Sequence, residues 1–296
     1  MLFWGLCLLL FAQVAAPPGG AGGDERRHSD AKQIYYCGFE AEDDADYDHW
    51  PDHWTRRRGA NYPGYLPVEI RTGDAQQGEG CLELTLNGGG VAIFSPPIEE
   101  GVGPLFSYVL EGYVQTLGLE RDRVYFSVTF FDDAGNALET IRSKPVTLVP
   151  EWRKIRMPPM IPNSTEVASA VIGLHVEPSD KQDIHGLVRF DDLWFARLPR
   201  MSLRMNRPDN VYTDPRQVKV TCDVSGIFER DPEMVFELLD QSWQRVDYRS
   251  SRLDGEAVAR RSSKGSELFG ADVTKAQGFR GATDWSPDIM HPGFYR

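Results

Sequence analysis

The sequence lacks the short motifs that identify the common enzyme classes. It contains no GxSxG nucleophile elbow, no phosphate-binding loop, no HExxH zinc motif and no GxGxxG dinucleotide fingerprint. Basic residues are also in deficit, with 32 Lys and Arg against 44 Asp and Glu and a net charge of -12. Such a chain repels phosphate backbones, so nucleic acid is not an expected partner.

Long apolar runs are missing as well. The longest, Leu2 to Ala12, is shorter than the about 20 residues that span a bilayer as a helix. Small residues follow it, so residues 1–21 are predicted to be a secretory signal peptide, with residues 22–32 as a flexible leader. We therefore expect a secreted, cell-surface or periplasmic protein with no membrane span, unless an uncleaved signal acts as an anchor.

Cysteine is scarce. Apart from Cys7 in the apolar run, the chain has only Cys37, Cys81 and Cys222, and no pair shows the CxxC spacing of a metal site. Cys37 and Cys81 fall in the same predicted domain and could form a disulfide in an oxidising compartment. The alternative is that all three are buried as small apolar side chains.

Short apolar runs recur between turn signals from Ile34 to Leu198, which is typical of an all-β domain. Eight of these runs are predicted strands: residues 81–86, 91–95, 107–116, 123–131, 138–144, 152–157, 168–176 and 187–197. Eight strands suit a jelly-roll β-sandwich over residues 33–200. Between two of them, Asp132 to Asn136 is predicted to be a hairpin turn in which Gly135 takes positive φ.

A polar, proline-containing stretch at residues 201–210 is predicted to be a linker. Apolar and polar residues alternate again around Val218, Val220 and Cys222, which indicates more β-structure. Residues 211–296 are therefore predicted to form a second, smaller β-sandwich. This sandwich could be incomplete, because one more strand is needed to cover its edge.

Two short motifs resemble a known family. Gly38-Phe39-Glu40 opens the first domain, and Phe190-Asp191-Asp192-Leu193-Trp194 lies in its last strand. Together with the strand count, they resemble galactose-binding-like jelly rolls of the carbohydrate-binding-module type, here followed by an immunoglobulin-like or related β-sandwich. The resemblance implies a structural calcium ion held by Glu40 and Asp191, with Asp192 as the alternate ligand. Carboxylates from the first and last strands would then share one hard cation.

The stretch from Asp43 to Tyr65 is the densest in aromatic and charged residues. Aromatic rings can stack on a sugar ring while polar groups bond its hydroxyls, so this stretch is the predicted ligand site. The candidate residues are Trp54, Tyr62 and Tyr65 as the platform, Trp50 as a packing or binding residue, and Arg56 and Asp52 as polar contacts. Arg56, Arg57 and Arg58 could meet an anionic ligand or lie in a solvated turn.

His175 and His185 flank a loop that is predicted to be solvated, or else to form a lip of the binding cleft. The sequence thus favours a non-catalytic, secreted protein that binds a polysaccharide or cell-surface glycan. Two alternatives remain open. The chain could be a structural or adhesive cell-surface spacer, or the N-terminal accessory part of a larger glycoside hydrolase.

Overall fold

The computed structural model describes residues 12–13, 31–179, 181, 183–227, 233–252, 256–259, 276–291 and 293–295. The predicted signal peptide and leader therefore lie outside the described residues, apart from Ala12–Gln13 and residues 31–32. The described chain divides into two compact units. One is Ala31–Leu198, and the other contains the described residues from Pro199 onward together with Ala12–Gln13.

The described residues form strands almost throughout, so the all-β prediction is confirmed. Two single-turn 3-10 helices lie at Ala41–Asp43 and Pro215–Gln217. The strands are β1 Ala12–Gln13, β2 Lys32–Cys37, β3 Thr55–Arg56, β4 Val68–Thr72, β5 Gly80–Leu86, β6 Val91–Phe94, β7 Phe106–Leu117, β8 Arg123–Phe131, β9 Ala137–Arg142, β10 Arg153–Arg156, β11 Ser169–Glu177, β12 Gly186–Met205, β13 Val220–Ile227, β14 Glu233–Leu239, β15 Arg245–Arg252, β16 Glu256–Ala259 and β17 Ala276–Trp285.

The unit of residues 31–198 is a sandwich of two antiparallel sheets. One sheet has the order β3-β6-β11-β8-β9; the other contains β10, β7, β12, β5 and β4, with β2 also paired to β12. From β5 to β12 the chain passes repeatedly from one sheet to the other, so most paired strands are distant in sequence. This wrapping is that of a jelly roll, as predicted.

Large aromatic side chains fill the space between these two sheets. Tyr108 of β7 packs against Phe130 of β8 with ring centroids 5.2 Å apart, and Phe126 of β8 packs against Phe190 of β12 at 5.8 Å. All four rings are fully buried. Gly112 of β7 packs beside Phe126, where a Cβ would lie 3.0 Å from Phe126 Cε2 and 2.6 Å from Leu193 Cδ2, so a larger residue would force these side chains to shift.

The second unit also has two layers of strands. One layer is β1-β14-β15, and the other is formed by residues 200–205 of β12 with β13, β17 and β16. Alternate residues of β13 and β14 fill the core between the layers: Val220, Cys222, Val224, Met234, Phe236 and Leu238. Tyr295 adds a bridge to Asp240 and is buried in the same core. The immunoglobulin-like assignment stays a prediction.

The structure corrects three expectations. Met201 to Met205 are not a linker, because they continue β12 and pair with β13. Cys37, Cys81 and Cys222 are all free and buried, so of the two alternatives left open, the Cys37–Cys81 disulfide is excluded and burial as small apolar side chains holds. β2, β3 and β4 were not among the predicted strands.

The hairpin prediction is confirmed. The carboxylate of Asp132 accepts from the amides of Ala134 and Asn136, and Gly135 has φ +82°. Within the part of the chain that the structure describes, no helix has the length and apolar character needed to cross a membrane.

We expect Tyr108→Phe to lower the free energy of unfolding by about 1–3 kcal/mol, because it leaves a buried amide and carbonyl unsatisfied. The Tyr108 hydroxyl accepts from Gly103 N at 2.6 Å and donates to Gly103 O at 2.7 Å. Urea unfolding of the full chain measures the change. Tyr47→Phe is the control, since that ring is 81% exposed and its hydroxyl loss should cost less than about 0.5 kcal/mol. Equal stability of the two variants would show that the hydrogen bonds of the Tyr108 hydroxyl do not stabilise the fold.

Candidate functional site

The five-stranded sheet turns one side to the core and the other to solvent. Residues directly opposite each other in the ladder share a side, and these pairs are Tyr125 with His175, Ser127 with Arg142, Ser127 with Gly173, and Gly173 with Phe94. The intervening residues, such as Phe126 and Leu174, are buried in the core. We call the side that carries Tyr125, Ser127, His175, Phe94 and Arg142 the outer face.

His175 lies at the centre of the outer face. Its ring stacks on Tyr125 with centroids 4.6 Å apart and an interplanar angle of 6°, and Phe94 meets it edge-on at 5.5 Å. Its Nε2 is 2.8 Å from Ser127 Oγ. Gly173 makes this packing possible, because a Cβ there would be 2.4 Å from Ser127 Oγ and 2.5 Å from His175 Nε2.

The outer face holds this imidazole neutral. The pKa of His175 is lowered to about 4, mainly by burial and also by the guanidinium groups of Arg142 and Arg57, while the Glu177 carboxylate acts in the opposite direction. The same carboxylate accepts a 2.6 Å hydrogen bond from the Tyr125 hydroxyl, which together with burial raises the tyrosine pKa. The centre of the face is thus an aromatic floor without charge of its own.

An open cleft of about 440 Å³ lies at one end of the outer face, next to Glu177. Its lining residues are Ala60, Asn61, Tyr62, Gly89, Glu177 and Pro178. The turn that carries Tyr62 is closed by a backbone bridge between Gly59 and Tyr62, and Gly90 N donates to Asn61 O at 2.9 Å. One aromatic ring, one amide and one carboxylate therefore converge on the cleft.

Arg57 and Arg142 border the aromatic part of the face. Arg57 N donates to Ala92 O at 2.9 Å, which ties it to β6, and its guanidinium lies 4.7 Å from the centroid of the Tyr62 ring. The Arg142 guanidinium lies 5.4 Å from the centroid of Tyr125. Both arginines are exposed. The floor is therefore aromatic while its border is cationic.

The residues predicted from the stretch 43–65 do not form one site. Trp54 is 6% exposed and packs on Phe39 at 5.6 Å, so it belongs to the core and the expectation of a stacking platform there is wrong. Trp50 is half-buried and donates from Nε1 to Trp54 O at 3.0 Å. Arg56 donates to Leu66 O and Pro63 O at 2.6 and 2.8 Å, so it stabilises the loop that contains these two residues.

A separate concavity of about 390 Å³ lies beside Trp50, Trp54 and Arg56, away from Tyr62. Asp52 accepts from Ala45 N at 3.1 Å and so stabilises a turn. Tyr65 is 68% exposed and its hydroxyl has one long, 3.4 Å bond to Asn87 O. Of the predicted residues, the structure brings only Tyr62 to the cleft described above.

The predicted calcium ligands Glu40 and Asp191 bind the same loop through its amides. Asp191 accepts from Gln76 N and Gln77 N at 2.7 and 3.0 Å, and Glu40 accepts from Glu79 N and Gly80 N at 3.1 Å. Gly78 has φ +72°, and a Cβ there would be 1.8 Å from Glu40 Oε1. Asp191 is fully buried, and burial raises its pKa to about 6.

The carboxylates of Glu40, Asp191 and Asp192 meet only some of the requirements of a calcium site. Glu40 Oε1 and Asp191 Oδ1 each receive one amide N–H, from Glu79 and Asp192, which leaves each oxygen a lone pair for a metal. Asp192 is also buried and hydrogen-bonds to Tyr36. Among the described residues, however, the acidic ligand atoms that all lie within 4.8 Å of one another belong to Asp44, Asp46 and Asp48. Calcium at Glu40, Asp191 and Asp192 stays a prediction.

Sequence reasoning missed most of the outer face. His175 lies in β11, within the strand predicted at residues 168–176, but its burial was not predicted, and neither Tyr125 nor Arg142 was a candidate. Their signal was present in the sequence, since β8 and β11 each alternate core residues with Tyr, Ser, Gly or His. Alternation of this kind marks a half-exposed face but not its function.

No family model matches the chain, and no curated protein matches it. Among solved structures, it is similar to the CBM22-1 xylan-binding domain of Xyn10C from Paenibacillus barcinonensis, at 16% identity, over 57% of this chain and 96% of that one, with a TM-score of 0.39. It is also similar to the CBM22-1-GH10 modules of Xyn10B from Clostridium thermocellum, at 14% identity, over 56% and 28% of the two chains, with a TM-score of 0.40. We therefore argue the function from this chain's own residues.

We expect His175 to make the fold sensitive to acid. Its folded-state pKa of about 4 lies below the ordinary 6.5, so the unfolded chain binds the proton more tightly. The stability gained from the neutral ring is complete above pH 6.5 and is lost as the pH falls towards 4, by about 3 kcal/mol. Urea unfolding at several pH values measures this loss.

In His175→Gln the loss of stability between pH 6.5 and 4 should be smaller by this amount. The control variant, His53→Gln, alters an exposed histidine and should keep the pH dependence of the original chain. If His175 titrates near pH 6.5 in an NMR experiment, this account of the buried ring is incorrect.

Proposed function

We propose that the protein is a secreted, non-catalytic glycan-binding protein whose ligand lies across the outer face of the five-stranded sheet. The observation that carries the proposal is the cleft, in which the Tyr62 ring, the Asn61 amide and the Glu177 carboxylate converge. A sugar has an apolar ring face and a polar edge of hydroxyls, so it needs an aromatic surface and hydrogen-bonding groups side by side. The cleft offers both.

The open form of the face supports a polymer rather than a small, enclosed ligand. Beyond the cleft the aromatic floor continues through Tyr125, His175 and Phe94, and Thr129 and Thr140 add hydroxyls on neighbouring strands. Tyr125 and His175 are only 5% and 6% exposed, so a chain of several sugar units along this line would meet the exposed Arg57, Thr140 and Arg142. A polysaccharide or cell-surface glycan is therefore the proposed partner.

Tyr62→Ala should weaken glycan binding by about tenfold or more, because it removes the aromatic ring of the cleft. Binding of the full chain to a glycan array identifies the ligand, and titration calorimetry measures the affinity. Asn61→Ala is a second variant, since it alters a cleft amide without removing a ring. The thermal midpoint of each variant verifies its folding.

Tyr65→Ala is the matched control, because this exposed ring lies outside the cleft and its loss should leave affinity unchanged. If Tyr65→Ala loses affinity and Tyr62→Ala does not, the ligand binds at Tyr65 and not in the cleft, and the proposed location is wrong. A chain that binds no glycan on the array supports the spacer alternative instead.

Calcium at Glu40 and Asp191 is part of the proposal, since a cation there would join the opening segment to the last strand of the sandwich. A chelator should then lower the thermal midpoint of the calcium-loaded chain, and Asp191→Asn should abolish that response. Asp46→Asn is the control, because Asp46 belongs to the separate acidic group of Asp44, Asp46 and Asp48. An unchanged midpoint in chelator would contradict a calcium site, and a response abolished only by Asp46→Asn would place the ion in that loop.

A further inference from the structure

Two arginines of the outer face, Arg57 and Arg142, make no ion pair within 4.0 Å to any described residue. Arg189 pairs with Glu83 and Arg204 with Asp223, but other exposed arginines of the described chain, such as Arg153, are likewise unpaired. Arg57 and Arg142 are distinguished by their position, because each lies over a tyrosine ring at the border of the same face.

The two guanidinium groups act on the same part of the face. Both lower the pKa of His175, so both lie close enough to influence one imidazole. The negative group in this region is Glu177, whose Oε1 accepts from the Tyr125 hydroxyl. Arg123 lies directly opposite Glu177 in the ladder, so with Arg57 and Arg142 it gives three cations beside this carboxylate and a local positive charge, in a protein whose net charge is -12.

The orientation of the arginines suits recognition of an anion. Each guanidinium lies over a tyrosine ring, Arg57 over Tyr62 and Arg142 over Tyr125. A guanidinium group can meet a carboxylate or sulfate through two parallel hydrogen bonds. The hydroxyls of a neutral sugar can accept hydrogen bonds from these groups, but they carry no negative charge to offset the desolvation of two cations.

We infer that the glycan bound on the outer face is anionic, with carboxylate or sulfate groups spaced to meet Arg57 and Arg142. This inference rests on the proposed function, since it names the class of glycan that the same face takes. Electrostatic attraction between the local positive charge and a polyanion also makes binding sensitive to salt.

The experiment compares matched pairs of polymers with the full chain. Each pair is one polysaccharide in its native and charge-removed forms, such as polygalacturonate against its carboxyl-reduced form and a sulfated glycan against its desulfated form. We expect binding to the native member of at least one pair, at least about tenfold weaker binding to its neutral form, and weakening of the native interaction in 0.5 M salt.

Arg57→Gln and Arg142→Gln should each weaken binding to the anionic polymer by about tenfold and leave any binding to the neutral polymer unchanged. Arg153→Gln is the matched control, because this exposed arginine lies in β10 of the other sheet and should have no effect. Thermal midpoints exclude misfolding.

Equal affinity for the two members of a pair, or preference for the neutral one, overturns the inference and leaves glycan binding by the face intact. Failure to bind any polymer of either kind overturns the proposed function itself. Loss of affinity in Arg153→Gln equal to that in Arg57→Gln shows a nonspecific charge effect and also counts against the inference.

Discussion

The close contact between the two sheets of the first unit is the constraint on which the rest of the structure depends. Tyr108, Phe126, Phe130 and Phe190 fill the interior, and Gly112 allows the layers to approach. Because successive side chains of a strand point to opposite sides, a fixed apolar inner face also determines which residues form the outer face. A shift of β8 by one residue would move Phe126 out to solvent and Tyr125 into the core.

Within that constraint, the outer face can carry groups that the core would not tolerate. The floor of His175, Tyr125 and Ser127 is nearly as buried as the core, yet the Tyr125 hydroxyl, Ser127 Oγ and His175 Nε2 are hydrogen-bonded within the face, and only His175 Nδ1 of these buried atoms lacks a partner among the described residues. This pairing offsets the cost of removing polar groups from water. The exposed border, with Arg57 and Arg142, remains available to a ligand because its charges are not used by the fold.

Much of the fold could be predicted from the sequence, because strands such as Arg123–Phe131 are long and bounded by turns. β3 and β4 were missed because strands of two and five residues are too short to show a clear alternation of apolar and polar side chains. Their strand conformation is determined by hydrogen bonding to β6 and β5. Of the proposed site, Tyr62 and Arg57 were named from the sequence. Local density also drew attention to Trp54, which is buried against Phe39, whereas Arg142, Ser127 and His175 come together on one face only through strand register.

The division of charge on the outer face follows from the difference between histidine and arginine. Burial keeps His175 neutral, because an imidazolium ion inside the aromatic floor would be desolvated and repelled by two guanidinium groups. Arginine stays protonated at every physiological pH, so positive charge on Arg57 and Arg142 does not vary where a histidine would titrate. A face built this way keeps a constant attraction for an anion while its stability, through His175, depends on pH. In the proposed function, recognition and acid sensitivity are therefore assigned to different residues of one surface.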